Sequence, residues 1–158
     1  MSARAALNTL IAGLDQAYNR QSWHGTNLRG SLRGVTFRQA AKRPRPGRHN
    51  IWELVVHAAY WKYTVLRRLT GEKRGSFPLE GSNFFTRPVE LTDRAWRADI
   101  ALLDRMHKDL RAAIVALPAS RLHAKAKGAK TTNAFLIQGI AAHDLYHAGQ
   151  IQLLKRLG

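Results

Sequence analysis

Residues 132–158 read TNAFLIQGIAAHDLYHAGQIQLLKRLG and carry the clearest structural pattern of the chain. Apolar side chains and two histidines recur there at steps of three or four residues, the period of one face of an α-helix. This face consists of Leu136, Ile140, His143, His147, Ile151 and Leu154. Thr132 or Asn133 can act as the N-cap, so we predict a long helix that runs nearly to Gly158.

Three further amphipathic patterns precede this helix and predict an all-α fold. We place them at residues 2–20, at residues 50–70, and from Thr92 to just before Pro118. In the second pattern, Asn50 and Glu53 have the spacing of a capping box, and Gly71 ends the helix. Residues 27–33 are a candidate short helix, whereas residues 38–48, 72–91 and 119–131 read as loops. We therefore expect one domain over residues 1–158, a four-helix bundle with long connections.

Composition narrows the function classes. The 158 residues suit one domain, and the absence of cysteine excludes disulfides, thiolate metal sites and cysteine nucleophiles. Twenty-six basic and 10 acidic residues give a formal net charge of +16, which favours anionic partners. No run approaches the ~18 apolar residues of a membrane span, and the N-terminus lacks the pattern of a signal peptide. We expect a soluble, cytoplasmic protein.

Three histidines lie on the predicted buried faces of two helices. His143 and His147 are four residues apart on one face of the last helix, and His57 is central on the buried face of the second. Two imidazoles from one helix and one from another form a half-shell of metal ligands that leaves coordination positions open, as in catalytic sites. The alternative is that each is a hydrogen-bonded core histidine without a metal.

Two of these helices also resemble a known family. Residues 143–151, HDLYHAGQI, are similar to the C-terminal signature of the DinB-like superfamily, and residues 49–57, HNIWELVVH, are similar to its first-histidine helix. The segment Trp23-His24-Gly25 resembles one branch of these proteins. The resemblance covers about residues 7–157. It implies a four-helix bundle, often dimeric, with a divalent metal on His57, His143 and His147.

Relatives in this superfamily include bacillithiol S-transferases, mycothiol-dependent isomerases and proteins described as metal-dependent hydrolases. The resemblance thus implies a metal-dependent enzyme of the thiol S-transferase or hydrolase type that acts on a small molecule. The net charge of +16 would help to attract an anionic thiol. Imidazole ligands suit several metals; we favour zinc or nickel, with iron or manganese as alternatives. Residues 82–88, SNFFTRP, differ from the acidic residue and tryptophan that relatives often carry there, so the substrate stays open.

Two functions remain as alternatives to a metal-dependent enzyme. One is a non-enzymatic metal-binding or damage-response protein. The other is a nucleic-acid-binding module that uses basic clusters such as Lys125, Lys127 and Lys130, although no reading motif accompanies them. We expect a homodimer and no membrane partner.

Several other residues have two interpretations each. Glu53 either completes the capping box or reaches the metal site, and His24 either lines the site or lies in an exposed loop. His107 lies on the apolar face of the third helix, where it either faces the site or, as we expect, is a hydrogen-bonded core histidine. The stretch HDLYH departs from the HExxH motif of zinc proteases because Asp144 replaces the glutamate. We expect Asp144 to face solvent or to support a metal ligand.

Overall fold

The computed structural model describes residues 2–126 and 129–157, and these residues are almost entirely helical. They form no β-strand, only an isolated bridge between Lys125 and Thr132. The predicted all-α fold is confirmed. The α-helices are α1 (Ala3–Tyr18), α2 (Leu28–Ser31), α3 (Phe37–Ala41), α4 (Ile51–Thr70), α5 (Asp93–Ala116) and α6 (Asn133–Leu157), and a short 3-10 helix spans Ala119–Arg121.

Local chemistry sets most helix ends where the sequence predicted them. The Asn50 side chain accepts a hydrogen bond from the Glu53 amide, and the Glu53 carboxylate accepts one from the Asn50 amide, so the capping box is confirmed. Gly71 ends α4 with φ 81°, the left-handed conformation that glycine adopts without strain. Thr92 caps α5 through its hydroxyl group.

The segment after Thr36 is a correction to the predicted loop over residues 38–48. The Thr36 hydroxyl accepts a hydrogen bond from the Gln39 amide and starts α3, whose Ala40 is fully buried. The loop therefore begins only at Lys42, where the chain is already extended. This leaves Arg45 and Arg48 on a short connection that leads directly into α4.

The four long helices pack around two apolar clusters. α4 packs against both α5 and α6, and α1 packs mainly against α6. The first cluster lies between α4 and α5 around Trp52 and Trp96, and the second contains Leu14 of α1, Ile114 of α5 and Ile137 of α6. No helix within the described residues is long and apolar enough to cross a membrane.

The buried face of α6 is rotated relative to the predicted one. Ile137, Asp144 and Ala148 are buried, whereas His143 lies at the edge of this face and is only half-buried. The expectation that Asp144 faces solvent was therefore wrong. Its carboxylate is fully buried and pairs with Lys62 of α4, whose Nζ lies 2.5 Å from Asp144 Oδ2. Lys62 Nζ also lies 4.8 Å from the centroid of the Tyr18 ring.

Candidate metal centre

Three imidazoles meet between α4 and α6. His143 Nε2 lies 3.1 Å from His57 Nε2 and 3.0 Å from His147 Nε2. One ring nitrogen from each of the three residues lies within 4.8 Å of the other two. His57 and His147 are buried, at 5% and 4% exposure. The structure thus brings together the three histidines that the sequence singled out, with their ring nitrogens converging on one point.

Hydrogen bonds to the outer ring nitrogens orient two of these imidazoles. His57 Nδ1 donates to the Asn83 carbonyl oxygen over 2.8 Å, and His147 Nδ1 donates to Gln150 Oε1 over 2.7 Å. A neutral imidazole that carries its proton on Nδ1 presents a lone pair from Nε2. The Nε2 lone pairs of His57 and His147 therefore point towards His143. Histidines that bind a metal have the same arrangement, because one ring nitrogen faces the metal while the other donates its proton to a protein group.

Asn83 belongs to the long connection between α4 and α5. It has φ 65°, a left-handed conformation that asparagine tolerates better than most residues. Its side-chain oxygen accepts a hydrogen bond from Trp61 Nε1 over 3.0 Å. Asn83 thereby fixes the connection to two side chains of α4, the His57 imidazole and the Trp61 indole.

Burial keeps the histidine cluster neutral. Burial lowers the pKa of His57 to about 4, against a smaller upward effect of its hydrogen bond to the Asn83 carbonyl. Burial, together with the neighbouring His147 and His57, lowers the pKa of His143 to about 3. The pKa of His147 is lowered mainly by burial as well. At neutral pH all three rings are therefore unprotonated at one nitrogen, as metal ligation requires.

Phe84 covers one side of the cluster. Its ring stacks on His57 at a centroid distance of 3.9 Å and, on its other side, on His49 at 3.6 Å. His49 Nδ1 lies 3.0 Å from Glu53 Oε2. No role was predicted for His49 from the sequence, and the structure places this exposed residue at the rim of the site because residues 83–85 fold back onto α4.

The three histidines line a cavity of about 980 Å³. Such a volume is in the range of small-molecule sites. The basic side chains Arg45 and Arg48 belong to the lining, and no carboxylate of the described residues does. The apolar and aromatic lining residues are Pro44, Leu54, Trp61, Phe84, Tyr146, Leu153, Leu154 and Leu157.

The other candidate residues lie away from the cluster. Glu53 forms the capping box, an ion pair with Arg43 and the contact with His49, and none of its hydrogen bonds within the described residues goes to His57. His24 is exposed and does not line the cavity. His107 is buried on α5, but its Nδ1 has no hydrogen-bond partner within the described residues, so the expected hydrogen bond is missing there. Lys127 of the basic cluster lies outside the described residues.

The donor set fits one divalent ion. Three nitrogen ligands at ~2.0–2.1 Å from a tetrahedral zinc ion lie about 3.3–3.4 Å apart, close to the two shortest Nε2 separations here. A cluster of neutral, buried imidazoles with two lone pairs directed at one point is poorly satisfied by protein hydrogen bonds alone. This donor chemistry is compatible with zinc, nickel or iron.

The fold and the histidine cluster agree with a comparison against protein families. The family model described as the DinB superfamily matches residues 3–151. The chain belongs to the DinB superfamily. Searches of curated proteins and of solved structures found no match.

Proposed function

We propose that this protein binds one divalent metal through His57, His143 and His147 and acts as a metal-dependent enzyme on a small substrate. The convergence of the three Nε2 atoms in a cavity of about 980 Å³ carries this proposal. Membership of the DinB superfamily supports it. The reaction class is thiol transfer or hydrolysis.

A bound ion would supply Lewis acidity and lower the pKa of a water or thiol at an open coordination position. The protein groups then have three tasks. Asn83 and Gln150 hold the imidazoles in the binding orientation. The aromatic and leucine side chains of the cavity exclude bulk water, and Arg45 and Arg48 attract an anionic substrate.

His49 is the candidate group for proton transfer. It lines the cavity, and its Nδ1 hydrogen bond to the Glu53 carboxylate fixes the ring and the tautomer. Glu53 itself is engaged by Arg43 and the Asn50 amide, so it orients His49 and does not act on substrate. Because no cysteine, serine, threonine, lysine or carboxylate of the described residues lines the cavity, we assign no covalent nucleophile.

The test is a rate assay on protein purified without a polyhistidine tag. Metal-free and zinc- or nickel-loaded protein is assayed with bacillithiol, mycothiol and glutathione plus electrophilic acceptors, and with ester and amide substrates. We expect turnover only in the loaded form and its loss in His147→Ala. The matched control is His24→Ala, which removes an exposed histidine that does not line the cavity.

Equal rates for loaded and metal-free protein would contradict a role of the metal in turnover. Bound metal without turnover across the panel would contradict the enzyme assignment and favour a non-enzymatic metal-binding protein. His49→Gln should lower the rate without removing the metal. Loss of the metal in this variant would contradict its role in proton transfer.

A further inference from the structure

A second cavity, of about 590 Å³, lies where the C-terminal end of α1 meets α2 and the middle of α5. None of its lining residues lines the cavity of the histidine cluster. Its volume is in the range of small-molecule sites. Every lining residue except Gly30 has a polar side chain. The cavity is therefore a separate, polar candidate binding site.

Two ion pairs neutralise the acidic side chains of this cavity. Arg29 Nε lies 2.7 Å from Asp104 Oδ1. Arg111 donates from Nε and Nη2 to the two oxygens of Asp15 over 2.6 and 2.7 Å. The carboxylates hold both guanidinium groups in defined orientations. Nη1 of Arg111 stays available for another acceptor. The ion pairs therefore neutralise the carboxylates and also orient guanidinium groups that can donate hydrogen bonds to a ligand.

Three further cations line the same cavity without an ion-pair partner in the part of the chain that the structure describes. They are Arg20, Arg33 and Lys108, and all three are exposed. Five basic minus two acidic side chains leave a formal local charge of +3. Like charges around a concave surface concentrate a positive potential and attract a multiply charged anion.

Two aromatic rings form the floor of the cavity, and the Tyr18 hydroxyl donates a hydrogen bond to Asp104 Oδ1. The Tyr18 and His107 rings stack there with their centroids 3.6 Å apart and their planes at 12°. His107 is 5% exposed, and its Nδ1 has no partner within the described residues. Burial, and then the charge of Lys62, lowers the pKa of His107 to about 3, so its ring is neutral. Because Nδ1 itself is buried, recognition of a ligand rests on the cations around this floor.

We propose that this cavity binds a small phosphorylated molecule through its phosphate group. A dianionic phosphate suits the charge of +3 better than a single carboxylate does, and guanidinium groups match phosphate geometry through paired donors. The recessed floor and the carboxylates of Asp15 and Asp104 favour a small ligand over the extended backbone of a nucleic acid.

The test is isothermal titration calorimetry on the full-length, chelator-treated protein, with inorganic phosphate and pyrophosphate as probes. We expect saturable binding that weakens as NaCl rises from about 50 to about 500 mM. Arg33→Ala/Lys108→Ala should bind pyrophosphate about tenfold more weakly or worse. Lys73→Ala/Arg94→Ala should keep the affinity, because it removes the same charges from exposed positions that do not line the cavity.

Phosphate can also bind to a metal, so the experiment must distinguish binding at this cavity from binding at the histidine cluster. His143→Ala/His147→Ala should retain pyrophosphate binding, and its loss there would overturn the assignment to this cavity. The proposal would be overturned if neither phosphate nor pyrophosphate binds. It would also be overturned if Arg33→Ala/Lys108→Ala and Lys73→Ala/Arg94→Ala weaken binding equally. A third outcome is that neither small probe binds, whereas a short DNA duplex binds to the parent and not to Arg33→Ala/Lys108→Ala. This outcome would assign the surface to nucleic acid instead.

Discussion

Replacing Lys62 by methionine removes the cation that faces the buried Asp144 carboxylate. Both side chains are fully buried, and Lys62 Nζ to Asp144 Oδ2 is 2.5 Å. Burial lowers the pKa of Lys62 and raises that of Asp144, so each charge is tolerated inside the protein because of the other. The second carboxylate oxygen, Asp144 Oδ1, has no partner within the described residues. No other described group pairs with the Asp144 carboxylate in place of Lys62.

The expected loss is large for a domain of this size. Breaking a buried pair by removing one partner costs about 3–5 kcal/mol, a substantial part of a total stability of about 5–15 kcal/mol. At about 2–4 °C per kcal/mol, the Tm should fall by roughly 6–20 °C. Lys62→Met/Asp144→Leu removes both charges, and we expect its stability to be within about 1 kcal/mol of the parent or higher.

Urea unfolding of the metal-free proteins, followed by circular dichroism, measures these differences. Lys73→Met is the control, because it removes an exposed lysine and should change stability by less than about 0.5 kcal/mol. A Lys62→Met protein within about 1 kcal/mol of the parent would refute the reasoning. A double variant as unstable as Lys62→Met would also refute it, since the cost would then come from packing and not from the unpaired charge.

Three other predictions follow from the site and its surroundings. Gln150→Leu removes the acceptor of His147 Nδ1, so metal affinity should fall about 10- to 100-fold in a competition titration with a chromophoric chelator. Burial alone raises the pKa of Glu53, but hydrogen bonds from Arg43, His49 and the Arg87 amide lower it below the ordinary 4.5. The charged Glu53 side chain therefore stabilises the fold above pH 4.5, and this stabilisation is lost as pH falls through the lowered pKa. The urea unfolding midpoint of Glu53→Gln should then depend less on pH than that of the parent between about pH 6 and pH 3. We propose that the protein is a homodimer, so light scattering should give twice the 17.8 kDa chain mass, and a 17.8 kDa species at micromolar concentration would contradict this.

The parts of the fold that the sequence predicts are those fixed by neighbouring residues. The capping box of Asn50 and Glu53 and the glycine end at Gly71 involve residues a few positions apart, so their pattern is visible in the sequence. The spacing of His143 and His147 on one helix is local in the same way. The placement of His57 opposite them followed from the buried face of α4 and from the family motif.

The parts that the sequence did not predict depend on distant contacts. Asn83 and Phe84 reach His57 only because the connection after α4 folds back, and no local pattern encodes that path. Lys62 and Asp144 are 82 positions apart and become a pair only when α4 packs on α6. Two features of the sequence indicated that the connection over residues 72–91 has a role: its length, and the departure of residues 82–88 from the pattern of relatives.

The metal content of the purified protein tests the central claim most directly. Protein made without a polyhistidine tag is analysed by inductively coupled plasma mass spectrometry, beside His143→Ala, His147→Ala and the exposed-histidine control His24→Ala. We predict about one divalent metal per chain in the parent and the control, and its loss in both cluster variants. Full stoichiometric metal in both His143→Ala and His147→Ala at neutral pH would contradict the site.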